Sequence, residues 1–180
     1  MPVSLPERVE PLRLAGSSER IIGSVSCAAL PRVVAATGTG SANDQRVVSV
    51  CLQFGIDEQG HKNVTGSVSA ELCLCCQRCM QPMEITVDGQ ISLGLVGSEQ
   101  QAEFLPSRYD PLVLSESELG LATLVEDELI LALPIVSRHE LGDKRCKPAC
   151  FDNGVLEAID RRGQESPFAI LASLKNDSES

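Results

Sequence analysis

The stretch Val47-Val48-Ser49-Val50-Cys51-Leu52-Gln53-Phe54 sets the fold, because its apolar residues alternate. Val48, Val50, Leu52 and Phe54 fall on one side of an extended chain, the period-two pattern of a strand with one buried face. Asp57-Glu58-Gln59-Gly60 then reads as a turn, and a second run places Val64, Val68, Leu72 and Leu74 on one face. Cys79-Met80-Gln81-Pro82 turns the chain again. Met83, Ile85 and Val87 alternate after it, followed by Ile91, Leu93 and Leu95. Three alternating runs joined by short turns predict an antiparallel meander.

Downstream, residues 97–108 are polar and rich in Gln and Glu, a loop with some helical character, and residues 111–114 suit a short strand. Ser115 followed three residues later by Glu118 has the form of a capping box. It predicts an acidic helix over 116–133, with Leu121, Leu124, Val125, Leu129 and Ala132 facing the sheet and Pro134 ending it. Residues 137–150 read as an irregular basic loop. Ser166-Pro167 signals a helix start, and Phe168, Leu171 and Leu174 give a short apolar stripe. Upstream, residues 1–46 are mixed. Leu12 and Leu14 alternate, Ile22 and Val25 nearly so, and Thr37-Gly38-Thr39-Gly40-Ser41 reads as a flexible loop. The expectation is an α+β fold, an antiparallel meander sheet or partial barrel with a long helix after it and a short C-terminal helix. One domain covers 1–175 and a disordered polar tail covers 176–180.

Composition narrows the function. Among 180 residues 43 % are hydrophobic but only 3 % aromatic, so the core is aliphatic and stacking platforms for single-stranded nucleic acid are lacking. A formal net charge of −10 opposes phosphate binding over the whole surface and leaves room for a local basic patch or a basic partner. No long apolar run suggests a membrane span, and the first ten residues lack the apolar core of a secretory signal. The chain reads as cytoplasmic.

Eight cysteines in that compartment argue against a disulfide framework. Cys27 and Cys51 stand alone and read as small buried hydrophobes. Cys76 with Cys79, and Cys146 with Cys150, have spacings that let each pair share a metal ion. Together they would form a closed four-thiolate zinc site, with reduced metal-free cysteines as the other reading. Cys73 and Cys75 read as strand residues. Arg138, Lys144, Arg145 and Lys147, with Arg78 inside the first pair, would make a positive patch able to contact RNA phosphates if the two pairs meet. Glu126-Asp127-Glu128 cannot converge on one ion, because adjacent helical residues fan out around the axis. Glu126 and Asp127 are instead candidates for a surface that meets a basic partner. His61 and His139 have no matching nucleophile motif, and the Cys76 segment lacks the helix start of a thioredoxin-like site.

Three segments together resemble one known family: Cys76-Gln77-Arg78-Cys79, Leu124-Val125-Glu126-Asp127-Glu128-Leu129-Ile130-Leu131-Ala132-Leu133-Pro134, and Ser166-Pro167-Phe168-Ala169-Ile170-Leu171-Ala172-Ser173-Leu174-Lys175. Leu105-Pro106-Ser107-Arg108-Tyr109-Asp110-Pro111 adds to the likeness, which spans roughly residues 10–175. The chain is similar to the YceD family, the large ribosomal RNA subunit accumulation proteins. That resemblance implies a bacterial, cytoplasmic, non-enzymatic factor needed for synthesis, processing or stability of 23S rRNA. Its partners would be a pre-ribosomal large subunit, rRNA or a basic ribosomal protein. The competing readings are an acidic chaperone-like binder of a basic ribosomal protein, and a ribonuclease or redox enzyme. Many relatives carry further cysteines after the Leu-Ala-Leu-Pro segment, where this chain has only Cys146 and Cys150.

Overall fold

The computed structural model describes residues 4–140 together with Asp143 and Cys146. In chain order its elements are β1 (Arg8–Val9), α1 (Pro11–Ser17), β2 (Arg20–Ser26), α2 (Pro31–Thr37), β3 (Val47–Ile56), β4 (Lys62–Cys75), β5 (Pro82–Val96), α3 (Glu99–Ala102), β6 (Asp110–Val113), β7 (Leu119–Gly120) and α4 (Leu121–Ala132). Short 3-10 turns occupy Cys27–Ala29 and Gly40–Asn43. No helix among the described residues is long and apolar enough to cross a membrane.

β3, β4 and β5 form the expected meander, and β2 extends it on one side, all antiparallel. The fifth strand, β6, joins the far edge in parallel with β5. The sheet is open, with β2 and β6 as edges. Its register stacks the alternating residues as the sequence requires. Val50 lies opposite Val68, Ala70 opposite Val87, and Phe54 opposite Val64, which faces Leu93 in turn. Of these, Val50, Phe54, Val64, Val68, Ala70, Val87 and Leu93 all belong to the main core.

α4 covers this face with Leu121, Leu124, Val125 and Leu129, while Ala132 is half-buried at its end. Each large side chain so placed contributes about 1.5–3 kcal/mol. Gly89 on β5 lets the helix in, because a Cβ there would lie 2.8 Å from Val68 Cγ2 and 3.4 Å from the Glu128 carbonyl oxygen. The helix ends before Pro134 as expected, with Leu133 already extended.

Its start differs from expectation. Ser115 and Glu118 do not cap it. Leu119 and Gly120 pair as β7 with β1, and the helix begins only at Leu121, with Gly120 as the N-terminal flanking residue. The carboxylates of Glu116 and Glu118 both reach Arg8 instead. A long-range strand pair has overridden a local capping signal.

The N-terminal region resolves into β1, α1, β2 and α2, with the two 3-10 turns. Leu12 and Leu14 alternate in sequence, but Pro11 opens a helix that buries Pro11, Leu14 and Ala15, three and four residues apart, and leaves Leu12 exposed. Thr37 to Ser41 is not a free loop. Asn43, fully buried, donates to the Cys73 carbonyl at 2.9 Å and to Thr37 Oγ1 at 3.0 Å, and accepts from the Cys73 amide at 2.8 Å. Its amide group thus pairs with β4 beyond the first β3 residue, Val47, and steadies the end of the strand that leads into Cys76. Cys27 is buried as expected. Cys51 is only half-buried, because odd positions of β3 point away from the core, and Arg20 Nη2 lies 3.2 Å from its sulfur.

Candidate metal centre

β4 ends at Cys75 and β5 begins at Pro82, so six residues reverse the chain. The Cys76 amide donates to the Gln81 carbonyl at 2.9 Å, and the Met80 amide donates back to the Cys76 carbonyl at 2.8 Å. Met80 takes a left-handed conformation, φ 59°, which is what lets so tight a turn close. Cys76 and Cys79 are both buried, while Gln77, Arg78 and Met80 between and beside them are exposed.

The segment after α4 is stitched to this turn. The Gln77 amide donates to the Ser137 carbonyl at 2.8 Å, and Ser137 Oγ donates to the Cys75 carbonyl at 2.8 Å. Those two bonds set His139 and Cys146 over the cysteines. His139 Nδ1 lies 3.5 Å from Cys79 Sγ, and Cys146 Sγ lies 3.8 Å from Cys76 Sγ. The ligand atoms of Cys76, Cys79, His139 and Cys146 all fall within 4.8 Å of one another. Burial alone would raise the Cys76 thiol, but the amides of His139, Cys79 and Arg78, with the His139 ring, outweigh it and push the thiol down toward thiolate. Cys146 goes the other way, raised by burial and by the neighbouring sulfurs of Cys76 and Cys79. One site thus combines a stabilised thiolate, crowded sulfurs and an imidazole, a donor set that can hold a metal ion.

Of the four cysteines expected to gather, Cys76, Cys79 and Cys146 lie together. Cys150 lies outside the described residues, and His139 is the fourth residue of the cluster. Its sequence signal was weak, a lone histidine in a basic stretch, because what recruits it is the Gln77–Ser137 bond two residues earlier. Cys73 and Cys75 remain on β4 and do not join the cluster.

Of the RNA-contact candidates, Arg78 and Arg138 are exposed beside the cluster, whereas Lys144, Arg145 and Lys147 lie outside the described residues. The acidic candidates do not form a free surface. Glu126 is buried, and its Oε1 accepts from the Arg32 amide at 2.7 Å in the first turn of α2. That carboxylate holds two helices together rather than facing a partner. Asp127 is exposed but ion-paired with Arg32. The predicted C-terminal helix and its apolar stripe, like the tail from residue 176, also fall outside the described residues.

An open, mostly antiparallel sheet covered by a helix, with a Cys/His cluster at one sheet end, defines an α+β protein with a candidate structural metal centre. The comparisons place it further. A family model described as "Large ribosomal RNA subunit accumulation protein YceD" matches residues 64–175, which include all four clustered residues. A relative from Haemophilus influenzae carrying that same description is 33 % identical over 177 residues, covering 96 % of this chain and 97 % of its own. The chain belongs to the YceD family, whose name ties it to accumulation of large-subunit ribosomal RNA. No solved structure matches it.

Proposed function

We propose that the chain is a non-enzymatic cytoplasmic factor that supports synthesis, processing or stability of 23S rRNA during large-subunit assembly. We further propose that Cys76, Cys79, His139 and Cys146 hold one zinc ion that locks the segment after α4 to the β4–β5 turn. The observation that carries the metal reading is the spacing of the four ligand atoms. Bonds of roughly 2.3 Å to sulfur and 2.1 Å to nitrogen give tetrahedral edges of about 3.8 Å between sulfurs and about 3.6 Å between sulfur and nitrogen. The Cys76–Cys146 and Cys79–His139 separations are 3.8 Å and 3.5 Å. Three sulfurs and a nitrogen suit zinc better than magnesium or calcium, which prefer oxygen. Four protein ligands leave no open position for water or substrate, so the ion would serve structure, not catalysis.

The family name carries the rRNA reading. Its test is a clean deletion followed by measurement of mature 23S rRNA against small-subunit rRNA and of 23S precursors. The expected result is a fall in the ratio or a rise in precursor, reversed by the intact gene. An unchanged ratio with normal subunit profiles, in rich medium and in the cold, would sink it. For the metal, mass spectrometry of protein purified without chelator should find about one zinc per chain. His139→Ala should lose that zinc and Cys150→Ser should keep it. The reverse pattern would return the fourth position to Cys150.

A further inference from the structure

Eight arginines stand among the described residues, and six of them have a partner. Arg8, Arg13, Arg32, Arg46 and Arg108 are ion-paired with carboxylates, and Arg20 meets the Cys51 sulfur. Only Arg78 and Arg138 have side chains with no partner among the described residues, in a protein whose net charge is −10. Both lie at the metal cluster. The Gln77 amide bonds the Ser137 carbonyl at 2.8 Å, so each arginine is the residue directly after one member of a hydrogen-bonded pair. Arg78 sits on the turn that supplies Cys76 and Cys79, and Arg138 immediately precedes His139.

Among the described residues, this places two arginines without an ion-pair partner beside one cluster, with Glu140 and Asp143 in the same segment as Arg138. Two exposed forks, one on the turn and one on the segment hydrogen-bonded to it, suit phosphate, because each can donate two parallel hydrogen bonds to an anionic oxygen pair. Their side chains reach from backbone that the cluster holds in place, so little order has to be gained on binding.

We propose that Arg78 and Arg138 form a clamp for the phosphate backbone of RNA, mounted on the metal-held turn. The inference rests on the 23S rRNA reading above and adds to it the ligand class and the contact surface. Backbone contacts of this kind position the protein without reading sequence. The surrounding acidity confines binding to this one place and keeps the protein from coating RNA indiscriminately.

The test measures binding of the full-length zinc-loaded chain to a short fluorescein-labelled single-stranded RNA of mixed sequence, by anisotropy over a salt series. Arg78→Gln with Arg138→Gln should weaken binding at least about tenfold. The log–log salt slope should become shallower by about 1.4, two phosphates at roughly 0.7 each. Arg78→Lys with Arg138→Lys should keep the slope and lose part of the affinity, because charge stays and the fork goes. Arg8→Gln with Arg13→Gln removes the same charge from exposed, already paired arginines and should change neither quantity. Zinc content and thermal melting confirm that each variant is folded. Equal loss in the Arg8/Arg13 control, unchanged binding in the Arg78/Arg138 variant, or absence of binding by the native chain overturns the clamp. So does displacement of the RNA by polyglutamate at matched charge, which would assign the surface to an acidic protein. The same variants expressed in the deletion strain separate the two readings. A deletion that leaves 23S rRNA unchanged sinks the functional reading alone. A 23S defect restored in full by the Arg78/Arg138 variant sinks the clamp alone.

Discussion

At one end of β4 the chain reverses between Asp57 and His61, and at the other between Cys76 and Gln81. In the first turn, Asp57 accepts from the amides of Gln59 and His61, at 2.9 and 2.8 Å, and from Arg108 at 2.7 Å, with the His61 ring at 3.1 Å. Gly60 supplies the left-handed step at φ 89°. The Asp57 carboxylate collects all four of these contacts, and Arg108 ties in the loop before β6. In the second turn, which backbone bonds between Cys76, Met80 and Gln81 also close, the same kind of reversal gathers three sulfurs and an imidazole within 4.8 Å of one another. One turn is closed by hydrogen bonds that the chain supplies in full. The other also gathers soft donor atoms, and they come from two segments distant in the chain. A turn closed by its own hydrogen bonds serves the fold, whereas a turn that collects sulfurs and an imidazole offers a candidate site for an ion.

That contrast can be broken most severely at the shared support. Leu124 is 4 % exposed, in the core that α4 and the sheet share. Leu124→Asp should unfold the protein or leave it insoluble, because it buries an unpaired charge. Circular dichroism and solubility check this. A soluble, native spectrum would show that this side of α4 is not core.

Cys76→Ser should strike one end only. Zinc content should fall from about one per chain to near zero. Amide exchange should quicken through residues 135–140 while the β3–β4 hairpin keeps its protection. If exchange rises equally in residues 57–62, the two ends are not independent and the contrast fails.

Asp57→Asn should do the reverse, lowering the melting temperature by about 2–4 °C with zinc content intact. It also has a pH signature. Burial by itself would raise the Asp57 carboxyl, but the His61 amide, Arg108, the His61 ring and the Gln59 amide hold it well below the usual carboxylate range. A depressed acid stabilises the fold above its unfolded pKa of about 4, and that contribution drains away as pH falls from there through the folded value. The native protein should therefore lose stability on acidification more steeply below about pH 4 than Asp57→Asn does. Parallel acid limbs in urea melts would remove Asp57 from the account.

The smallest effect belongs to Glu126. Glu126→Gln keeps an acceptor for the Arg32 amide and should cost little, while Glu126→Ala should cost about 1 kcal/mol through loss of that cap on α2. A larger penalty for Gln than for Ala would mean that charge, not the hydrogen bond, matters there.

The meander, the helix face and the family were legible in the sequence because each depends on neighbours along the chain. Alternation from Val48 to Phe54 needs only the two-residue period of a strand, and Leu121 to Leu129 only the helical one. The 76–79 spacing announced a ligand pair for the same reason. What sequence reasoning missed depends on residues that meet only in space. Ser115 and Glu118 had the form of a cap, yet pairing of Leu119 and Gly120 with Arg8 and Val9 moved the helix start to Leu121. Glu126 looked like one more solvated acid until α2 packed its amide against it. His139 became a ligand candidate because Ser137 hydrogen-bonds Gln77, a contact between segments far apart in sequence. Local periodicity is written in each segment separately. Which polar groups face one another across segments is settled only when the sheet and α4 bring those segments together, since hydrogen bonds and ligand sets act over a few ångströms and carry no signature along the chain.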